Sequence, residues 1–316
     1  MSHAANQSTI SEVFLLGFQS LHIFRTTLFV GLLVIYMASI VGNLLIIGLV
    51  LATQHLLHTP MYFFLCQLST TDVLITTTVC PYLLHITWNG GAIMTFSGCI
   101  LQLYVFSVTS ITECCLLTAM SYDRYVAICK PLHYPTIMTF TVCICLVSCC
   151  WFLGFFLSLV VNTMIYHLHF CGSNIIDHLF CDYSPLVRLS CSDTTVLKII
   201  VFLILTPETV VQAFFIVTTY LCIFLSILRM SSGRQKVFST CSSHLAVVCM
   251  YYGTLIAIYV APSQGRLTII NKILSLVYTV GTPLLNPIIY SLKNKEIKDV
   301  LQKHFKGGLK LKCRYV

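Results

Sequence analysis

Residues 26–52 read TTLFVGLLVIYMASIVGNLLIIGLVLA, an apolar run that contains no Asp, Glu, Lys or Arg. A helix of about 20 apolar residues crosses the hydrocarbon core of a bilayer, so this run is long enough to span a membrane. The next charged residue after Arg25 is Asp72, and that distance is too long for one helix. The polar segment 53–60, which ends in a proline, divides the stretch into two predicted spans.

The composition of the whole chain indicates the same class of protein. Of its 316 residues, 57% are hydrophobic and 9% are charged, whereas a typical soluble domain is about 25% charged. This leaves too little polar surface for a soluble globule, a disordered chain or a nucleic-acid-binding protein. The sequence therefore predicts an all-α, polytopic membrane protein that contacts membrane lipid and binds no nucleic acid.

Turn signals, prolines and charged residues separate the apolar runs, and the pattern predicts a single seven-helix bundle made by the whole chain. The predicted transmembrane spans are approximately 26–52, 60–82, 97–129, 139–163, 196–228, 237–262 and 272–292. Segment 1–25 precedes the first span and tail 293–316 follows the last. In the tail, Ile297, Leu301 and Phe305 recur at helical spacing, which predicts a short amphipathic helix on the membrane surface.

The basic residues predict the orientation of this bundle. Most of the 18 Lys and Arg residues lie in segments 124–138, 229–236 and 293–316, and short loops rich in these residues stay in the cytoplasm. An odd number of spans then makes the N-terminus extracellular and the C-terminus cytoplasmic. Asn6 begins a glycosylation sequon on the outer side, and Cys313 in the basic tail is a candidate for palmitoylation.

The 17 cysteines fall into two groups under this orientation. Four face the outer, oxidising side, and they are Cys99, Cys171, Cys181 and Cys191. Four cysteines allow three pairings, and their spacing does not choose among them. The others lie in apolar runs or on the cytoplasmic side, where cysteines stay reduced.

Several motifs resemble those of a known receptor family. Asp123-Arg124-Tyr125 ends the third span and NPIIY (286–290) ends the seventh, as in rhodopsin-like G-protein-coupled receptors. Four segments resemble the narrower signatures of vertebrate olfactory (odorant) receptors: LHTPMYFFL (57–65), MSYDRYVAICKPLHY (120–134), KVFSTCSSH (236–244) and PLLNP (283–287).

This resemblance implies a function, a location and two covalent links. The chain is expected to bind a small volatile odorant in the outer half of the bundle. It is further expected to activate a stimulatory, olfactory-type heterotrimeric G protein, which raises cyclic AMP. The resemblance places it in the plasma membrane and implies the disulfides Cys99–Cys181 and Cys171–Cys191.

Arg124 is predicted to be the switch that the G protein contacts. The resemblance implies that Asp123 holds its guanidinium group at rest, and that Tyr220 and Tyr290 contact it in the active state. The alternative is an arginine that extends to the membrane interface beside a neighbouring acid, together with two interfacial tyrosines.

Two acids within apolar spans, Asp72 and Glu113, are candidate functional residues, because such groups are costly unless paired, protonated or hydrated. With Asn43 and Asn286 they are predicted to form one buried polar cluster. Its two carboxyl groups would share a proton or bind Na⁺, and no other cofactor is predicted. The alternative is a purely structural hydrogen-bonded cluster.

The ligand pocket is predicted from helical stripes and from the resemblance, which together indicate the outer halves of spans 3, 5, 6 and 7. The predicted ligand-binding residues are Phe106, Ser107, Ser110, Ile111, Cys114, Glu208, Tyr252, Leu255, Tyr259, Leu276 and Thr279. The family motifs do not require an acid at Glu208. This carboxyl group either pairs with a cationic amine, or accepts a hydrogen bond from an alcohol while protonated, or is satisfied by a neighbouring helix.

Other functions find less support in the sequence. It contains no nucleophile–base pair, phosphate-binding glycine loop or zinc ligand quartet, so we expect neither an enzyme nor a metal site. An ion-coupled transporter is the rival class, but no internal repeat is found. A chemoreceptor of the same fold that detects a metabolite outside the nose stays open.

Overall fold

The computed structural model describes residues 10–171, 173–229, 234–260 and 267–293, together with Ile297 and Val300. Within these ranges the side chains that are not described belong to residues 20–22, 234–236, 238–240, 258–260, 267–268 and 291–293. Asn6 and Cys313 therefore lie outside the described residues, as does most of the predicted tail helix. Of that helix, Ile297 is helical and buried against the bundle.

Seven helices form a bundle, which confirms the predicted all-α membrane architecture. They are α1 (Arg25–Ala52), α2 (Pro60–Asn89), α3 (Phe96–Cys129), α4 (Phe140–Tyr166), α5 (Thr195–Arg229), α6 (Arg234–Val260) and α7, which consists of Leu267–Leu276, the π-helical turn Val277–Gly281 and Thr282–Lys293. Six of the seven are long and apolar enough to cross a membrane, and α6 contributes the shorter apolar segment Cys241–Ala257.

Local sequence explains where several of these helices begin and end. The hydroxyl groups of Thr95 and Thr139 accept backbone N–H groups at 3.2 and 3.4 Å, which caps the starts of α3 and α4. α2 continues to Asn89, beyond its predicted end at residue 82. It stops at Gly90, whose φ of 75° lies in the left-handed region that glycine adopts without steric cost.

The π-helical turn of α7 ends at Gly281, two residues before Pro283. Proline has no N–H group, and its ring clashes with the carbonyl group four residues earlier, so the helix is disrupted on its N-terminal side. A π turn accommodates one extra residue.

Three short strands form a sheet that the sequence did not predict. They are β1 (Glu12–Leu15), β2 (Ala92–Thr95) and β3 (Ile175–Ile176), in the order β2-β1-β3. β1 is antiparallel to β2 and parallel to β3. The sheet lies at the end of the bundle where α3 begins, close to Cys99; we call this the disulfide end and the opposite one the Arg124 end.

The exposed surface of the bundle is apolar and its interior contains polar side chains. Val34, Phe152 and Phe214 are 61%, 67% and 73% exposed, whereas Asn43 and Asp72 are fully buried. A soluble protein has the opposite arrangement for its charged and large apolar residues. The outer face of the bundle is therefore suited to contact with lipid.

Candidate functional site

A cavity of about 750 Å³ lies between the helices in the half of the bundle nearest the disulfide end. Its walls come from α3, α4, α5, α6 and α7, and the long segment between α4 and α5 covers it. Most of its wall is apolar, with a limited number of polar groups. A cavity of this size and composition can enclose a small molecule.

Most of the predicted ligand-binding residues line this cavity, namely Phe106, Ser107, Ser110, Ile111, Cys114, Glu208 and Leu255. Those on α3 form the stripe that their helical spacing predicted. The side chain of Tyr259 is not described, so its contact with ligand stays a prediction.

Three predicted residues, Tyr252, Leu276 and Thr279, are not among those that line the described cavity, and their contact with a ligand stays a prediction. The hydroxyl group of Tyr252 contacts the sulfur of Cys114 at 3.0 Å within the packed interior. Leu276 packs into an apolar cluster with side chains of α1 and α2. Thr279 is fully buried, and its hydroxyl donates to the carbonyl of Ser275 in its own helix at 2.8 Å.

Two tyrosines that the sequence analysis missed line the cavity instead. The hydroxyl oxygens of Tyr251 and Tyr278 are 3.3 Å apart, and Tyr251 also donates to the carbonyl of Ser110 at 2.9 Å. On α6 the cavity face follows the spacing from Tyr251 to Leu255 rather than a stripe through Tyr252.

The cavity face of α7 has regular helical spacing. Asn271, Ser275 and Tyr278 line the cavity at i, i+4 and i+7, whereas the predicted Leu276 and Thr279 each lie one residue further along. The prediction of these two residues rested on the family resemblance, without a helical stripe on α7.

The covering segment is tied to α7 by an ion pair. The ammonium group of Lys272 pairs with Asp177, a cavity-lining residue, and donates to the carbonyl of Gly17 at 2.8 Å. Lys272 is itself buried. One ammonium group therefore joins the covering segment, the N-terminal segment and α7.

His178, next to this ion pair, also lines the cavity and is 6% exposed. Burial lowers the pKa of its ring below the ordinary value of 6.5, so the ring is neutral at neutral pH. The hydrogen-bond network assigns Nδ1–H as donor to the carbonyl of Phe180 at 3.3 Å, and Nε2 as acceptor from the hydroxyl of Ser275 at 3.4 Å.

Both implied disulfides are present. Cys99–Cys181 joins the first turn of α3 to the covering segment, and Cys171–Cys191 closes that segment on itself. Gln102 supports the first link: its Oε1 accepts the N–H group of Cys181 at 2.9 Å, while its Nε2 donates to the carbonyl of Thr78 at 3.0 Å.

Asp72 and Asn286 form the centre of a buried polar group. The amide of Asn286 donates to both oxygens of Asp72, at 2.9 and 3.2 Å. Glu113 is 2% exposed and interacts electrostatically with Asp72, and its Oε1 has no hydrogen-bond partner among the described residues. Asn43 does not join this hydrogen bonding, because its amide donates to backbone carbonyls, including that of Pro283.

Arg124 is held by its neighbour at the opposite end of the bundle. Its Nη2 and Nε lie 2.6 and 3.1 Å from Oδ2 of Asp123. The other oxygen of Asp123 accepts the hydroxyl of Tyr134 at 2.8 Å. The sequence analysis assigned no role to Tyr134, although it lies within one of the family motifs. Burial is the main factor that raises the pKa of Tyr134, so its hydroxyl group stays protonated and able to donate.

The predicted active-state partners of Arg124 are engaged elsewhere or unpaired. The hydroxyl group of Tyr220 forms a hydrogen bond with Nδ1 of His244. Tyr290 is 1% exposed, and its hydroxyl has no hydrogen-bond partner in the described part of the chain. Their contact with Arg124 in an active state stays a prediction.

Comparison with known proteins gives a consistent result. The family model described as "Olfactory receptor" matches residues 32–307. Human Olfactory receptor 11L1 is 47% identical over 94% of this chain and 93% of its own length. Human Olfactory receptor 6B1 is 42% identical over 94% of this chain and 96% of its own length. Rat Olfactory receptor 1f45 is 44% identical over 95% of this chain and 96% of its own length. The resemblance of the motifs is thus confirmed, and the chain belongs to the olfactory receptor family of G-protein-coupled receptors.

Proposed function

We propose that this receptor binds a small volatile odorant in the cavity and activates a stimulatory heterotrimeric G protein, which raises cyclic AMP. The observation that carries the proposal is the largely apolar cavity of about 750 Å³ between the helices, since such a wall suits a small lipophilic ligand. α3 contributes both to this wall and, through Arg124, to the opposite end. One helix therefore connects ligand and switch.

An agonist acts by binding the active arrangement of the receptor more tightly than the resting one. The ion pair between Arg124 and Asp123 is the contact that must open, and the end of α6 near His244 would move away to expose Arg124. Shifting a population from 1:99 to 99:1 needs about 5.5 kcal/mol of differential affinity, most of what a micromolar ligand supplies. We therefore expect partial and promiscuous responses.

The proposed location is the plasma membrane, with the disulfide end outside and the Arg124 end in the cytoplasm. Disulfides form on the oxidising side of a membrane, and the two among the described residues lie at the same end. The basic tail 293–316 would then face the cytoplasm, where the positive-inside rule puts it.

We also propose that Asp72 and Glu113 hold one Na⁺ or share one proton. Oxygens of Glu113 and Asn286 lack hydrogen-bond donors among the described residues, which fits a hard cation bound by oxygen atoms. When bound, the cation would neutralise the charge of the two carboxylates. If Na⁺ is bound, replacing it with choline should change basal cyclic AMP in the unmodified receptor and not in Glu113→Gln. Equal responses would exclude Na⁺ and favour the shared proton.

The function is tested by measuring cyclic AMP in cells that express the chain, challenged with matched amines, acids, alcohols and esters. At least one class should raise cyclic AMP, and Arg124→Ala should abolish the rise without reducing surface expression. Arg25→Ala, which removes the same type of side chain near the disulfide end, is the control. A response that survives Arg124→Ala would exclude the proposed switch, and silence of a receptor verified at the surface would count against the coupling.

A further inference from the structure

Glu208 is an acid on the cavity wall, one residue after Pro207 in α5. Its carboxyl oxygens accept hydrogen bonds from neutral groups alone. The amide of Gln212 and the thiol of Cys115 donate to Oε1. The hydroxyl oxygen of Thr209 lies 3.4 Å from Oε2, but its proton is donated to the carbonyl of Leu205 at 2.9 Å. Oε1 thus has two donors, whereas Oε2 has one long contact.

The orientation of the Gln212 amide shows which oxygen of Glu208 is already engaged. Oε1 of Gln212 accepts the hydroxyl of Tyr252 at 3.4 Å, so its NH₂ group faces Glu208. Oε1 of Glu208 therefore acts as an acceptor, as an oxygen of a carboxylate and the carbonyl oxygen of a protonated carboxyl both do. Oε2 receives no donor from the described residues, which leaves it open to a donor from a ligand.

Glu208 has no cationic partner within the described part of the chain. Arg124 pairs with Asp123 and Lys272 pairs with Asp177, and the side chains that act on Glu208, besides its burial, are the neutral ones of Cys115, Gln212 and Thr209. A carboxylate in a membrane interior is costly when unpaired. A cation inside the cavity would remove that cost.

We propose that Glu208 is the counter-ion of a protonated aliphatic amine, which makes small primary amines the ligand class of this receptor. The inference rests on the proposed function, because it assumes that the cavity is the ligand site. Leu205 and Val201 also line the cavity, at i−3 and i−7 from Glu208 and so on the same face of α5. An ammonium group at Glu208 leaves about 10 Å along this face for an apolar chain.

The test compares hexylamine, hexan-1-ol and hexanoic acid, which share one apolar chain and differ in the head group. Binding is measured as the rise in melting temperature of the purified full-length receptor in lipid nanodiscs, so no G protein is needed. Hexylamine should stabilise the unmodified receptor more than the alcohol or the acid does. Glu208→Gln should weaken amine binding by roughly tenfold or more, since it removes a charge-assisted hydrogen bond.

Two further variants keep the result interpretable. Asp193→Asn makes the same carboxylate-to-amide change on an exposed residue outside the cavity and should leave amine binding unchanged. Glu208→Asp retains the acidic group and should retain part of the amine binding. If Glu208→Gln does not fold, this variant serves as the test.

The outcomes separate this inference from the proposed function. Equal stabilisation by amine and alcohol, no stabilisation by hexylamine, or amine binding that Glu208→Gln leaves intact would overturn the inference. A cyclic AMP response to neutral odorants alone would also overturn it while supporting the proposed function. Amine binding that depends on Glu208 without any cyclic AMP response would support the inference and contradict the proposed coupling.

Discussion

The side-chain amide of Asn43 in α1 donates a hydrogen bond of 2.8 Å to the backbone carbonyl of Pro283 in α7. Pro287, four residues further along α7, has no N–H group, so the helix itself leaves that carbonyl unpaired. Asn43 is fully buried and supplies the missing donor. The irregular segment of α7 is thereby attached to α1.

Asn43→Ala should lower the stability of the receptor, because it leaves a buried carbonyl without a donor, which costs about 1–3 kcal/mol. The measurement is the melting temperature of the purified receptor. Thr77→Val is the matched control, since the hydroxyl of Thr77 is exposed and donates within its own helix. Equal melting temperatures for the two variants would show that the Asn43 contact adds no stability.

Asp123→Asn should raise basal cyclic AMP several-fold. It removes the negative charge that holds Arg124, and a hydrogen bond to a charged group contributes about 1.5–3 kcal/mol. Tyr134→Phe removes one neutral donor to Asp123 and keeps the ion pair, so it should change basal cyclic AMP less. The proposed resting contact is contradicted if Tyr134→Phe has the larger effect.

Cys181→Ser should strongly reduce surface expression. The Cys99–Cys181 disulfide ties α3 to the segment that covers the cavity, and removing a native disulfide costs about 2–5 kcal/mol. The double variant with Cys99→Ser should be no worse than Cys181→Ser alone, because both remove one link. Cys145→Ser, at an exposed free cysteine, is the control and should leave expression unchanged.

Acidification from pH 7 to pH 5 should destabilise the receptor through His178. Burial lowers the pKa of His178 in the folded state below its ordinary 6.5. As the pH falls below that value the unfolded state binds the proton first, so stability decreases, by at most about 1.4 kcal/mol per pH unit. The charged groups that act on this ring are Asp182, Lys272 and Asp177.

The measurement for His178 is the melting temperature as a function of pH. His178→Gln should flatten the decrease between pH 7 and pH 5, because a neutral amide cannot take up the proton. His167→Gln changes an exposed histidine and should leave the pH dependence as it is. An unchanged decrease in His178→Gln would assign the effect to another group.

Only some of the residues that line the cavity could be predicted from the sequence. The stripe on α3 from Phe106 to Cys114 lines the cavity as expected, because α3 is a regular helix over this stretch and side-chain direction follows from spacing. On α7 the prediction used the family resemblance without a stripe, and it named Leu276 and Thr279, which are neighbours of the cavity-lining Ser275 and Tyr278. The rotation of a helix about its own axis depends on its packing against the other helices, which the spacing of its own residues does not specify.

By itself the sequence determined the class of protein, the seven helices, their approximate bounds and the receptor family. The helices and their bounds follow from the length and polarity of the apolar runs. A helix in lipid must satisfy its backbone hydrogen bonds within itself, so each apolar run specifies its helix locally.

Tertiary structure alone decided which groups meet across the bundle. β1 pairs with strands from two distant segments, Lys272 joins Asp177 to Gly17, and Asn43 pairs with Pro283. Each of these contacts links residues far apart in the chain. Such contacts depend on how the helices pack and where their backbones depart from regular geometry, which no local pattern of residues specifies.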